Sequence, residues 1–176
     1  MTRLLLVLAS LTLTACTSFP TPHYVSDTDN VLALRAYRNN KVVLGDFKSS
    51  APQLSELMCR GAGPIKPAGG LTFAEYVKQS FAQELTAAEM LSPQGAITLS
   101  ADLTTVELAG MTSQWRLAMT LRSSNGRTLS VSTESESKFM FDGMAGCRMA
   151  ANQLVPAVRK LISTTVASPA FAELLR

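Results

Sequence analysis

The stretch "WRLAMTLRSSNGRTLSVSTE", residues 115–134, decides the fold. Trp115, Leu117, Met119 and Leu121 alternate with Arg116, Ala118, Thr120 and Arg122, and Leu129, Val131 and Thr133 alternate with Thr128, Ser130, Ser132 and Glu134. Strict alternation is the period of a strand with one buried and one wet face. Between the runs, Asn125-Gly126 invites a two-residue turn, but that register pairs positions whose numbers sum to 251 and sets apolar Leu121 opposite polar Ser130. A three-residue loop, Ser124-Asn125-Gly126 with the glycine left-handed, gives a sum of 250. Leu121 then faces Leu129, Met119 faces Val131, and Arg116 faces Glu134 on the outer surface. The pattern therefore selects the three-residue loop.

Toward the amino end, Ile97, Leu99, Ala101 and Leu103 alternate with Thr98, Ser100, Asp102 and Thr104, and "KVVLGDF" (41–47) reads as a further strand. Thr72 and Glu75 form a capping box. It opens a helix with Phe73, Val77, Phe81, Leu85 and Ala88 on one stripe, running to about Met90 because Pro93 forbids much more. Toward the carboxyl end, Phe139 and Phe141 continue the inward series of the last strand. After Asp142-Gly143 a helix presents Cys147, Ala151, Leu154, Val158, Leu161 and Thr165 on one face, and Pro156 should kink or divide it. Ser168-Pro169 starts a short terminal turn. The order β-α-β-β-β-α predicts an α+β fold: a two-layer sandwich whose four-stranded, mostly antiparallel sheet carries two helices on one face and turns a hydroxyl-rich face outward. Residues 31–38 fit a short helix or a strand, and Asp29 and Asn30 as caps tip the reading to helix. Residues 49–70, with three prolines and four glycines, read as one long connection.

At the amino end, "RLLLVLASLTLTACTS" (3–18) is greasy up to Cys16. As a helix its apolar part, residues 4–15, would reach about 18 Å, short of a hydrocarbon core about 30 Å thick. A basic start, a short apolar run and small residues before a cut are the parts of a secretory signal. Leu13-Thr14-Ala15-Cys16 resembles the bacterial lipobox. That resemblance implies a diacylglyceryl thioether on Cys16, cleavage before it and acylation of the new amino group; the alternative is a plain signal peptide with an incidental cysteine. Thr17 in place of Asp implies, in enteric-type sorting, transfer to the outer membrane, in the inner leaflet and facing the periplasm. The expected organisation is a signal peptide (1–15), a lipidated flexible tether (16–30) with a reach of at most about 45 Å, and a single α+β domain (31–176).

Chemistry-bearing patterns are few. His23 is the one histidine and lies in the expected tether, so a Ser/His or Cys/His relay has no partner within the domain. Cys59 and Cys147 are too isolated for a zinc site, "GAGP" lacks the Lys-Ser/Thr of a phosphate loop, and Glu134 and Glu136 with Lys138 read as a solvated strand face. No catalytic set, metal, cofactor or small-molecule substrate is assigned. The formal charge of +3, or +2 once Arg3 is removed, comes without a basic run and argues against nucleic acid. Three cysteines are odd in an exported protein. Lipidation uses Cys16; the two that remain, in a compartment where disulfides persist, predict a Cys59–Cys147 bridge if both helices share one sheet face. The alternative is two separate buried thiols.

Taken together, the signal, lipobox, strand, long Cys-bearing loop, helix, three-strand meander and Cys-bearing last helix resemble small proteobacterial envelope lipoproteins: the YajG type, the PqiC-like transporter auxiliaries and the LptE-like lipopolysaccharide-assembly lipoproteins. The resemblance implies no enzyme. Its first functional expectation is a non-catalytic binding or accessory subunit of an envelope complex, bound to the membrane through the lipid on Cys16 and to an envelope protein through the outer face carrying Arg116, Thr120, Arg122 and Glu134. A lipid-handling auxiliary of a transport or lipopolysaccharide-assembly system is the alternative, and an enzyme with an unrecognised site is the second alternative.

Overall fold

A computed structural model describes residues 17–51, 55–109, 112–136 and 138–176. The expected signal peptide (1–15) and Cys16 lie outside the described residues. The chain runs β1 (Phe19–Pro20), α1 (Thr28–Arg35), β2 (Val42–Ser49), β3 (Leu57–Cys59), β4 (Gly63–Lys66), α2 (Phe73–Ala87), β5 (Ile97–Leu108), β6 (Trp115–Ser123), β7 (Thr128–Glu134), α3 (Gly143–Ala167) and α4 (Pro169–Leu174). The fold is the expected α+β sandwich, with a four-stranded sheet of order β2-β5-β6-β7 and a small second sheet of order β1-β4-β3. β5, β6 and β7 are antiparallel neighbours, and β2 lies parallel to β5. Among the described residues, no helix is long and apolar enough to cross a membrane.

The central hairpin adopts the predicted register: Leu121 pairs with Leu129, Met119 with Val131, and Arg116 with Glu134. Gly126 takes φ 86°, the left-handed conformation that its loop position requires. Trp115, Leu117, Met119 and Leu121 are buried against the helices. The Trp115 indole N–H donates to the Ala150 carbonyl at 2.8 Å, so the largest side chain of the sheet is satisfied by α3. α2 packs over β2 and β5 while α3 packs over β6 and β7. The capping box is complete: the Glu75 backbone N–H donates to the Thr72 hydroxyl at 3.2 Å, and the Thr72 N–H to the Glu75 carboxylate at 2.8 Å. The bonds that Thr72 donates to it hold the Glu75 carboxyl below its usual range.

The bridge joins Cys59, at the end of β3, to Cys147, in the second turn of α3, with Cα atoms 5.8 Å apart. It pins the long connection to the helix layer, as the cysteine count predicted.

Several boundaries differ from expectation. Residues 19–30 are folded against the domain: β1 pairs in parallel with β4, and Phe19, Thr21, Tyr24 and Asn30 are buried. A strand of two residues has no period, so composition alone made this segment a tether. α1 begins earlier than predicted, because Asp27 is the cap and accepts the Asp29 and Asn30 backbone N–H groups. The connection 49–70 contains the β3–β4 hairpin, where Leu57 and Ile65 pair and both are buried. Pro156 does not divide α3, which continues through it. The proline and Asn152, the residue whose carbonyl loses its donor, both lie on the exposed side of the helix. β7 stops at Glu134, because the Ser135 side chain and amide close onto Trp115 and end the ladder. Phe139 and Phe141 are consequently outside, 52% and 92% exposed, rather than in the core.

Replacing Leu117 by Ala should cost about 2–5 kcal/mol of unfolding free energy in a urea titration. Arg122→Ala, on the opposite face of the same strand, should stay within about 0.5 kcal/mol.

Candidate interaction surface

The described helices lie on one face of the large sheet and no described element covers the other, so the strand period fixes which side chains populate that face. Four cross-strand rows follow from the registers. Ser100 lies beside Arg122, which lies beside Thr128; Lys48 is followed by Asp102, Thr120 and Ser130; Thr105 by Ala118 and Ser132; Glu107 by Arg116 and Glu134. Hydroxyls fill the middle, and charges gather at two ends.

The four residues singled out from the sequence share this face without forming one cluster. Arg116 is committed internally: its Nε donates to Glu134 Oε1 at 2.9 Å, with Glu107 on its other side. Both partners are about half exposed, so the pair is worth at most about 1 kcal/mol. Thr120 and Ser130 share a hydroxyl–hydroxyl hydrogen bond of 2.9 Å. Arg122, six residues and roughly 20 Å along the strand from Arg116, makes no ion pair with any described residue. It borders an open cleft of about 510 Å³ together with Asp46, Lys48, Ser100 and Asp102. There Asp102 is occupied by the residue that follows β2, since its carboxylate accepts the Ser50 amide at 2.9 Å and the Ser50 hydroxyl at 3.0 Å. Lys48 lies 3.8 Å from Asp46, and both are almost wholly exposed. Chemically, the cleft offers a guanidinium outside any ion pair of the described residues, set beside hydroxyls and suited to a carboxylate or a strand carbonyl. Among the described residues, no group of His, Cys, Asp or Glu is arranged to hold a metal ion.

Sequence reading missed the β2 half of this cleft, Asp46 and Lys48, because a parallel neighbour leaves no turn from which to count register. It also missed a buried polar network under the amino-terminal segment. Glu84, fully buried on α2, accepts the Tyr24 hydroxyl at 2.5 Å and the Asp27 amide at 2.8 Å through Oε1, while Oε2 has no hydrogen-bond partner among the described residues. Arg159 of α3 donates to the Val25 carbonyl at 2.7 Å and lies over the Tyr24 ring, and buried Asn30 donates to the Arg159 carbonyl at 3.1 Å. Glu84 falls one position off the apolar stripe of α2, which is the one signal the sequence holds of it.

No family model matches the chain, and no curated protein matches it. Among solved structures, protein XCC0632 from Xanthomonas campestris, of the family model DUF330, is similar at 14% identity with a TM-score of 0.53, over 85% of this chain and 95% of that chain. The likeness is one of fold. A second crystal structure, of an uncharacterized protein, is similar at 10% identity with a TM-score of 0.49 over 85% of this chain and 95% of that one.

Two tyrosines make the packing of the amino-terminal segment sensitive to alkali. Burial, with the bond to Glu84 next, holds the Tyr24 hydroxyl far above its ordinary range, and burial pushes Tyr76 up to about 12. Tyr76 donates to the Pro22 carbonyl at 2.9 Å. The unfolded phenols ionise near 10, so the folded state holds extra protons above that pH. This contribution is fully present below pH 10 and is lost as pH rises toward 12. Urea midpoints should fall across that window, and Tyr76→Phe should flatten the fall while lowering the neutral-pH stability by about 1 kcal/mol.

Proposed function

We propose that this protein is an outer-membrane lipoprotein, anchored through the lipid on Cys16 and facing the periplasm, and that it acts as a non-catalytic binding or accessory subunit of an envelope complex. The observation that carries the reading is the Cys59–Cys147 bridge. It suits an oxidising compartment and uses two of the three cysteines, which leaves Cys16 as the single unaccounted thiol, at the lipobox position. The bare sheet face supports a binding role. Its outermost strands are β2 and β7, and outermost strands hold backbone groups to which a partner strand can add. At Val42 the β2 edge is closed by the chain at Met90 and Ser92, so the open part of that edge lies beside the Arg122 cleft.

Labelled palmitate should enter the protein, and Cys16→Ala should abolish incorporation and leave either uncleaved precursor or protein released from the outer-membrane fraction. Unchanged fractionation of the substituted protein would sink the anchor. For the partner, a cleavable cross-linker applied to intact cells should capture one envelope protein reproducibly. Arg122→Glu should reduce that capture several-fold with the melting temperature nearly unchanged, whereas equal capture would remove this face from the interface.

A further inference from the structure

We infer that one end of the domain, built around the exposed pair Phe139–Phe141 and the exposed Met144, is a membrane-apposed face that sits in the phospholipid headgroups of the leaflet holding the anchor; this rests on the lipoprotein reading above. Four observations place its parts together. Gly63 takes a positive φ and a Cβ there would overlap the Thr17 carbonyl, so the first described residue lies against the start of β4, next to the β3–β4 turn. Thr17 and Ser18 line a groove of about 350 Å³ with Met144 and Arg148 of α3. Arg60, in the same turn, donates to the Met140 carbonyl at 2.8 Å and its guanidinium lies against Gly146. The rings of Phe139 and Phe141 meet edge to face with centroids 4.9 Å apart, 52% and 92% exposed.

Chain length commits the occupant. β1 begins at Phe19, so Thr17 and Ser18 alone separate Cys16 from a hydrogen-bonded strand. Three residue steps span at most about 10 Å. A domain held that closely cannot stand away from its anchor, and the end that bears Thr17 meets the headgroups. Exposed apolar rings are carried into the headgroup and acyl boundary rather than left in water, and exposed Arg148, which lines the groove, and exposed Lys138, next to Phe139, bring positive charge to anionic lipid against Asp142, which is engaged as the α3 cap, and Glu136.

The test uses the full chain in its native membrane, with Phe141→p-benzoylphenylalanine as photo-cross-linker and Arg127→p-benzoylphenylalanine as control. Arg127 is exposed beside the Ser124–Gly126 loop, whose Asn125 bonds to the Glu173 and Arg176 carbonyls. That places the control beyond the far end of α3, a helix about 37 Å long. In cells whose phospholipids carry radioactive phosphate, illumination should label the protein several-fold more at position 141 than at 127. Phe139→Ser should weaken the label at 141 while the non-reduced mobility still reports the closed disulfide. A protein adduct at 141 would make this end a protein interface and overturn the inference, as would equal lipid labelling at both positions, or no lipid label at 141 in a chain that incorporates palmitate. Absence of palmitate at Cys16 would overturn the anchor and this inference with it.

Discussion

The parallel pairing of β2 with β5 is the constraint on which the rest of the molecule depends. Antiparallel strands can be joined by a turn of two or three residues, as β6 and β7 are, but parallel neighbours require a crossover that leaves the sheet and returns to the same end. Here the crossover is residues 50–96, and it carries α2 over the sheet. Once α2 covers β2 and β5, the apolar sides of β6 and β7 need a second helix in the same layer, and α3 supplies it. All the helix-facing residues are thereby drawn to one side, and the opposite side is left to hydroxyls and charges. The bare face and the buried core have a common origin.

A crossover of this length has to be ordered by something other than sheet pairing. The β3–β4 hairpin, the capping box that fixes the start of α2 and the bridge from Cys59 to α3 each hold a part of it. The polar network around Glu84 does the same for the segment before α1, tying it to α2 and α3 together. Burying a carboxylate costs several kcal/mol unless it is well partnered, and here only one of its oxygens is. What that arrangement secures is position, because the two groups that meet Glu84 Oε1 come from that same segment, at Tyr24 and Asp27.

What was legible in the sequence was what repeats or what can be counted. The β6–β7 register could be read because a one-residue slip would turn Leu121 toward Ser130, an error with a large energetic consequence. The capping box and the helix stripes follow local rules, and the bridge followed from the number of cysteines. What escaped had no period of its own. β1 is two residues long and takes its place from β4, and β3 and β4 are similarly short. Phe139 and Phe141 keep the spacing of an inward series after the ladder has ended at Ser135, so alternation alone misplaced them. Of the candidate face, the sequence identified the β6 and β7 residues, and the hairpin register already set Arg116 opposite Glu134 and Arg122 opposite Thr128. What it could not place beside Arg122 was the β2 contribution, Asp46 and Lys48, which a parallel neighbour brings in without a turn to count from.

The connectivity also bears on the order in which the chain can be completed. β1 pairs with β4, β2 with β5, and Cys59 bonds to a residue 88 positions later. A polypeptide that emerges amino end first therefore presents its opening segments long before their partners exist, and contacts of such separation form slowly. Until α3 has emerged, β6 and β7 lack their cover and Cys59 lacks its native partner, so an incomplete chain exposes apolar strand faces together with a free thiol. The early part of this protein is therefore completed late, and the bridge that pins residues 49–70 can close only once Cys147 has reached the same compartment as Cys59.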